Sequence, residues 1–258
     1  MNTITNAFKN KKIFIPFLTA GYPTNEKFVE IVKMFDQIGA GIVEVGIPFS
    51  DPLADGKTIQ YSSKYVLDRG INIDIILDLV RQIRQSCSVP IVFMTYYNII
   101  FQRGIEKFVN DSKEAGVDGL IVPDLPPEEA EDLIKFAKGK LALTFLVTTV
   151  TTPNRVDKII NKTSGFIYFV PRLGVTGIET ELASFKEMKK YIVGLKQKTK
   201  LPIAVGFGVS SKKGAKAVYD CADGVIVGSA IIKFIQENID DSKLVDNLRN
   251  YCREFVAK

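Results

Sequence analysis

The feature that most limits the possible folds is a repeated alternation of short β-rich apolar runs with segments of helical spacing. Eight such runs occur in the 258 residues, at 13–21, 41–48, 90–97, 119–125, 141–149, 165–172, 202–208 and 223–230. Between the first two, apolar residues recur at intervals of three and four, at Phe28, Ile31, Val32 and Phe35. Runs that are apolar throughout are typical of parallel strands buried on both faces. The pattern therefore predicts an α/β fold, a (β/α)8 or TIM barrel, rather than a doubly wound sheet.

The chain shows no linker and no shift in composition, so a single domain is expected over residues 1–258. Its hydrophobic content of 46% is enough for one large core. The N-terminus lacks the apolar core of a signal peptide, and no stretch of about 18 apolar residues occurs. These features predict a soluble protein of the cytoplasm.

Charge and composition exclude several classes of function. The net charge is +5, but the lysines are spread along the chain and the densest run is only KNKK at 9–12, so no nucleic-acid surface is expected. Cys87, Cys221 and Cys252 are widely separated, which predicts packing residues rather than disulfides or zinc ligands. The absence of histidine excludes a Ser-His-Asp triad and removes the commonest transition-metal ligand. Acid–base chemistry must then come from carboxylates, Tyr or Lys, and no metal is expected.

Glu44 is the first polar residue that does not fit a barrel core. It lies between Val43 and Val45 in the second run, and if these valines face the helices, Glu44 faces the barrel interior. Functional groups of such barrels lie where strands end and the following loops begin. The side chain is either an acid–base catalyst with a pKa raised by burial, or a glutamate that fills the barrel and is satisfied by a backbone or tyrosine hydrogen bond.

Three aspartates lie in the loops that would follow the second and fourth strands. Asp55, in LADG, falls at the same mouth as Glu44 and either faces a ligand or caps the turn before Gly56. Asp51 precedes a proline, as is common at the start of a turn. Asp124, in PDLPP, either has a functional role or caps a helix that begins near Pro126.

The last two predicted strands end in small residues. GFGVSS at 206–211 and GVIVGSAI at 224–231 both run into helices, and Gly228 and Ser229 open a short helical turn after the last strand. Small residues at these positions let a phosphate approach backbone N–H groups, although ordinary tight turns remain an alternative. The segment 172–180, RLGVTGIET, has the composition of a closing lid or of an ordinary flexible loop.

Six segments together resemble one known family in its order along the chain. They are FIPFLTAGYP, VEVGIPFSDPLADGKTIQ, GVDGLIVPDLPPEE, RLGVTG, AVGFGVSS and ADGVIVGSAI. Together they span most of the sequence, and the second is highly specific. By these motifs the chain resembles the tryptophan synthase alpha chain family.

The resemblance implies a function in tryptophan biosynthesis. The implied reaction is the retro-aldol cleavage of indole-3-glycerol phosphate to indole and glyceraldehyde 3-phosphate. The implied partner is a pyridoxal-phosphate-dependent (PLP-dependent) β chain, in a heterotetramer of two α and two β chains, and no cofactor of the α chain itself is expected. Glu44 matches the family's acid–base glutamate, Asp55 matches the aspartate that holds the indole N–H, and Asp51 matches a position near the β-chain interface. Asp124 is grouped with Asp51 at that interface.

The resemblance also assigns the remaining site residues. Those expected to contact the substrate are Phe17, Tyr96, Asn98, Tyr168 and the lid residue Thr176. Those expected around the phosphate are Gly177, Gly206, Phe207, Gly208, Gly228 and Ser229.

Three positions depart from the family pattern. Tyr22 replaces an Asp and Lys57 replaces a Pro, which bears on the interface, and Pro171 replaces a Ser before the lid. Two other functions stay open: a freestanding lyase, with Lys57 as a conceivable Schiff-base residue, and a non-catalytic barrel that only activates a β chain.

Overall fold

The computed structural model describes residues 2–9, 11–171, 178–206 and 208–257, without the side chains of 178–184. Within these residues, one sheet of nine parallel strands has the order β5-β4-β3-β2-β1-β9-β8-β7-β6. The strands are β1 Ile13–Thr19, β2 Val43–Gly46, β3 Ile91–Met94, β4 Gly119–Ile121, β5 Ala142–Thr144, β6 Leu146–Thr148, β7 Ile167–Val170, β8 Ile203–Val205 and β9 Gly224–Val227.

Nine strands occupy eight positions of a barrel, because the predicted fifth run is divided at Phe145. β5 pairs with β4 and β6 pairs with β7, so the two halves continue one another around the sheet. The Phe145 carbonyl oxygen accepts a hydrogen bond from the Tyr168 N–H at 3.2 Å, across the division. The sheet therefore forms a nearly closed barrel, and the predicted (β/α)8 architecture is confirmed.

Helices surround the strands. They are α1 Thr3–Ala7, α2 Asn25–Gln37, α3 Lys57–Leu67, α4 Ile73–Arg84, α5 Tyr97–Arg103, α6 Ile105–Ala115, α7 Glu131–Ala137, α8 Pro153–Lys162, α9 Ile178–Lys198, α10 Lys212–Tyr219, α11 Ser229–Glu237 and α12 Leu244–Arg253, with a 3₁₀ turn at Pro127–Glu129. The four apolar residues predicted to form the inner face of α2 are all buried. Gly39 and Gly116, which connect helices to strands, have φ of +85° and +99°, a conformation that glycine adopts without strain.

Two apolar layers hold the barrel together. Val43 and Val45 of β2 belong to the outer layer, between the strands and the helices. Ile42 and Val92 belong to the inner layer, whose N-terminal end is closed by Ile4 of α1. The alternation along β2 therefore directs Glu44 into the barrel, because it has the parity of Ile42.

Two further expectations concern the chain as a whole. The three cysteines are free and buried, as expected for packing residues. Among the described residues, no helix has both the length and the apolar character needed to cross a membrane.

Candidate active site

A cavity of about 260 Å³ opens at the C-terminal end of the barrel. Its walls come from the ends of β1, β2, β3, β7 and β9 and from the loops that follow the strands. The lining residues are Phe17, Glu44, Asp55, Gly56, Ile59, Met94, Tyr168, Gly208, Val209, Ser210, Ile226, Gly228, Ser229 and Ala230. The position is the one at which barrels of this class carry their active sites.

Glu44 lies on β2 beside Phe17 of β1 and Val92 of β3. It is 1% exposed, and neither carboxylate oxygen has a hydrogen-bond partner among the described residues. Burial raises the pKa of Glu44 to about 8, and the negative charge of Asp55 adds to the shift. A glutamate that only filled the barrel would be satisfied by a hydrogen bond, since a buried unpaired polar group costs about 1 to 3 kcal/mol. The structure therefore favours the catalytic interpretation.

Asp55 faces the same cavity from the loop before α3. Its N–H donates to the Pro52 carbonyl at 3.2 Å, and its own carbonyl accepts from Gln60 Nε2 at 2.8 Å, so the backbone of the turn is fixed. Helix α3 has no side-chain cap, and the carboxylate is therefore not used as one. Burial raises the pKa of Asp55 to about 6, against the opposing hydrogen bond from the Tyr96 hydroxyl.

The two carboxyl groups are in different protonation states near neutral pH. With a pKa of about 8 for Glu44 and about 6 for Asp55, Glu44 is protonated and Asp55 is ionised between these values. Burial and the two carboxylates raise the pKa of Tyr168 well above its ordinary value, so its hydroxyl stays neutral. A proton donor and an anion thus face one cavity, which is the arrangement required to protonate a substrate and to stabilise the cation that forms.

The opposite side of the cavity is formed by backbone and small side chains. Gly228 precedes α11, a nine-residue helix whose first N–H groups lack partners within the helix. Gly208 has φ of +82° and lies beside Ser210. Among the described lining residues there is no Lys or Arg, so an anion bound here would be held by N–H groups and hydroxyls at a helix N-terminus.

Gly206 is not among the described residues that line the cavity. A Cβ at this position would lie 2.4 Å from the Tyr168 ring, so glycine is required for that ring to pack against β8. Gly46 plays the same part for Phe17, since its Cβ would also lie 2.4 Å from the ring. The structure thus gives Gly206 a packing role, and the predicted phosphate contact stays a prediction.

Two predicted substrate residues lie outside the cavity lining. Tyr96 is buried, and its hydroxyl accepts a hydrogen bond from the Ala54 N–H at 2.9 Å. Asn98 is exposed on the first turn of α5. Thr176, Gly177 and Phe207 fall outside the described residues.

The two aspartates predicted to contact a partner are exposed. Asp51 accepts a hydrogen bond from Ser50 Oγ at 2.5 Å. Asp124 accepts from the N–H of Tyr97 at 2.9 and 3.2 Å through its two oxygens. The alternative in which Asp124 caps the helix near Pro126 is therefore wrong: Asp124 caps α5, which precedes it in the chain.

Seven of the described lining residues were not predicted from the sequence as site residues, and Gly56 and Ala230 among them directly follow Asp55 and Ser229, which were predicted. Met94 and Ile226 face inward because they share the parity of Val92 and Gly224 on their strands, so alternation would have found them. Ile59, Val209 and Ser210 come from loops and from the first turn of α3, for which no periodic signal exists.

The three positions that depart from the family pattern occupy different environments. Tyr22 is fully buried and packs edge-on against Tyr65, with the ring centroids 5.3 Å apart, so its side chain is not part of the exposed surface. Lys57 is exposed at the start of α3 and outside the described cavity lining, which argues against a Schiff-base lysine. Pro171 is buried and immediately precedes the segment 172–177, which lies outside the described residues.

Together, the fold and the site define a (β/α)8 barrel in which two carboxyl groups with raised pKa values face one cavity at the C-terminal mouth. The family model described as tryptophan synthase alpha chain matches residues 4–258. The chain belongs to the tryptophan synthase alpha chain family.

Relatives and solved structures agree with this assignment. The tryptophan synthase alpha chain of Thermoanaerobacter pseudethanolicus is 38% identical over 256 residues, with 97% of each chain covered. That of Synechocystis is 41% identical, covering 99% of this chain and 98% of the relative. The alpha subunit of tryptophan synthase from Legionella pneumophila superposes with a TM-score of 0.90 at 34% identity, covering 99% and 97% of the two chains. The predictions of the family, the barrel and a lyase of tryptophan biosynthesis are confirmed.

Proposed function

We propose that this chain cleaves indole-3-glycerol phosphate to indole and glyceraldehyde 3-phosphate, with Glu44 as the proton donor and acceptor and Asp55 as the stabilising anion. The observation that carries the assignment of residues is the buried Glu44 carboxyl group, which has no hydrogen-bond partner among the described residues and faces the same cavity as Asp55. A raised pKa at such a position is typical of a general acid that works near neutral pH.

The proposed cycle balances with a single proton on Glu44. The neutral carboxyl group donates its proton to C3 of the indole ring, which leaves a cation shared with the ring nitrogen. The Asp55 carboxylate accepts a hydrogen bond from the indole N–H and stabilises that positive charge. The Glu44 carboxylate then takes the proton of the glycerol C1′ hydroxyl, the C3–C1′ bond breaks, and indole and the aldehyde are released.

The phosphate of the substrate binds at the Gly228 side of the cavity. There the start of α11 and the hydroxyls of Ser210 and Ser229 supply donors, whereas Glu44 and Asp55 are the acidic groups among the described lining residues. The phosphate and the indole therefore occupy separate halves of one cavity.

Glycerol phosphate should compete with the substrate, because the phosphate subsite does not require the indole. In steady-state cleavage by the isolated chain, millimolar glycerol phosphate should raise KM and leave kcat unchanged. Glycerol at the same concentration is the matched control, since it lacks the anion. An unchanged KM with glycerol phosphate would contradict the phosphate assignment.

The partner of the chain is a PLP-dependent tryptophan synthase β chain, in an assembly of two α and two β chains. A relative of known structure is a chain of the tryptophan synthase complex from Pyrococcus furiosus, at 34% identity and a TM-score of 0.84 over 95% of this chain and 98% of that one. Two large apolar side chains support a contact surface here: Leu53 is 94% exposed and Phe101 is 63% exposed. Leu53 lies with Asp51 on the loop 47–56. Phe101 lies on α5, the helix whose first N–H is capped by Asp124. We also propose that residues 1–258 form a single domain and that the protein acts in the cytoplasm.

Asp51→Lys should weaken activation by the β chain by about tenfold or more, because charge reversal opposes a complementary interface. KM for indole-3-glycerol phosphate in the isolated chain should stay unchanged. The measurement is α-chain activity against β-chain concentration. The control is Asp240→Lys, on the exposed loop between α11 and α12 at the other end of the barrel. Equal weakening by both variants would refute a specific contact at Asp51.

A further inference from the structure

The loop that carries Asp55 contacts the side chain of Tyr96, which follows β3. The Tyr96 hydroxyl accepts a hydrogen bond from the Ala54 N–H at 2.9 Å, one residue before Asp55. The Tyr96 ring stacks on Phe49, at the start of the same loop, with the ring centroids 5.2 Å apart and the planes 29° apart. Tyr96 is 5% exposed and is not among the described residues that line the cavity. It therefore contacts the loop at two places from outside the described lining of the cavity.

We propose that Tyr96 is a positioning residue for Asp55, and that Asp124 holds Tyr96 in place through the N–H of Tyr97. The proposal rests on the proposed function for the catalytic role of Asp55. It replaces the expected substrate contact of Tyr96 with a contact to the loop.

The Tyr96 hydroxyl can make both contacts because it has one donor and two acceptor sites. One acceptor site takes the Ala54 N–H, and the hydrogen is free to be donated to the Asp55 carboxylate. That donation lowers the pKa of Asp55, whereas burial raises it. The other titratable groups that face Asp55 are Glu44 on β2 and Tyr168 on β7, whose own pKa values its negative charge raises. Tyr96 thus favours the ionised form of Asp55, in opposition to the effect of burial.

Asp124 fixes the start of the helix that follows Tyr96. Both of its oxygens accept from the N–H of Tyr97, the first residue of α5, at 2.9 and 3.2 Å. A carboxylate at this place satisfies a free N–H group and lies at the positive end of the helix dipole. Because Tyr96 immediately precedes that N–H, its backbone, and with it the direction of its ring, is held from the β4 side of the barrel. The exposed Asp124 is in this way linked to the loop that carries Asp55.

Tyr96→Phe tests the first step, because it keeps the ring on Phe49 and removes only the hydroxyl. The pKa of Asp55 should rise by about one pH unit, read by ¹³C NMR of labelled aspartate carboxyl groups, with Asp55→Asn identifying the signal. The acid limb of the kcat/KM profile for indole-3-glycerol phosphate should move up by the same amount. Tyr97→Phe is the matched control; its ring packs towards Phe101, and no shift is expected.

The Asp55 pKa and the cleavage activity together distinguish failure of the positioning role of Tyr96 from failure of the proposed function. An unchanged Asp55 pKa in Tyr96→Phe overturns the proposal, even if activity and melting temperature fall, because that pattern marks a purely structural role. A shifted pKa in a protein that does not cleave the substrate supports the positioning step and refutes the proposed function instead.

A pair of variants at Asp124 tests the second step in the isolated chain. Asp124→Ala removes the acceptor for the Tyr97 N–H and should shift the pKa of Asp55 upward by less than Tyr96→Phe does. Asp124→Asn keeps an acceptor oxygen and should restore the original value. Equal shifts in the two variants would reveal an effect of charge alone and would overturn the link from Asp124 to Tyr96.

Discussion

Glu44→Gln should lower kcat for indole-3-glycerol phosphate cleavage by about 10² to 10⁴, the range typical of a lost general acid–base group. The amide has nearly the shape of the neutral carboxyl group, so substrate affinity should change little. It cannot donate and recover a proton, however, and the lining offers no histidine that could replace it. The measurement is steady-state turnover by the isolated chain, with glycerol phosphate binding measured on the same preparation.

Asp55→Asn is the informative comparison for that variant. It removes the negative charge that stabilises the protonated indole, so turnover should also fall, and ground-state affinity should weaken by about 1 kcal/mol for an altered hydrogen bond. Near-normal kcat in Glu44→Gln together with an altered thermal melt would mean that Glu44 only fills the barrel. Loss of turnover in both variants, with activation of the β chain retained, would place the chemistry on these two residues and the interface elsewhere.

The free energy of unfolding should fall as the pH rises from about 5 to 8, because Glu44 must then ionise in a buried site. The folded protein, with a pKa of about 8 for Glu44 against an ordinary 4.5, binds more protons than the unfolded chain in this window. Stability that depends on the protonated form is complete below the ordinary pKa and is lost as the pH approaches 8. The expected loss from this group is on the order of 3 to 5 kcal/mol. Urea unfolding at pH 5 and pH 8.5 measures it.

Glu44→Gln should remove this share of the pH dependence, so the variant should be more stable than the natural chain at pH 8.5. Asp55 contributes in the same direction over a lower window, since its pKa is also raised. Glu237→Gln, at an exposed position near the end of α11, is the control and should leave the pH dependence unchanged. Parallel curves for the natural chain and Glu44→Gln would contradict a raised pKa at Glu44.

Periodic features of the chain were predictable from the sequence. The apolar runs indicated the barrel positions because parallel strands buried on both faces exclude polar residues, and the strand alternation directed Glu44 inward beside Ile42. Asp55 could be placed at the same mouth because loops after barrel strands share one end of the fold.

Contacts between distant segments were not predictable in the same way. Asp124 caps α5 across 27 residues of chain, and Tyr96 reaches Ala54 across 42 residues, so neither contact has a local pattern. The requirement for glycine at position 206 comes from the ring of Tyr168 on the neighbouring strand. The sequence does not distinguish a glycine that is required by side-chain packing from one that is required by a bound phosphate. Only the three-dimensional packing reveals the contact with the Tyr168 ring.

Exchange of the C3 proton of indole with solvent deuterium tests the role of Glu44 most directly, because it requires proton transfer at C3 and no carbon–carbon cleavage. The experiment follows the C3 proton signal of indole by NMR in D₂O near neutral pH, with glycerol phosphate present to fill the phosphate subsite. The natural chain should accelerate exchange well above the buffer rate, and Glu44→Gln should reduce that acceleration by about 10² or more while still binding glycerol phosphate. Equal exchange rates for the natural chain and Glu44→Gln would contradict Glu44 as the group that moves the proton.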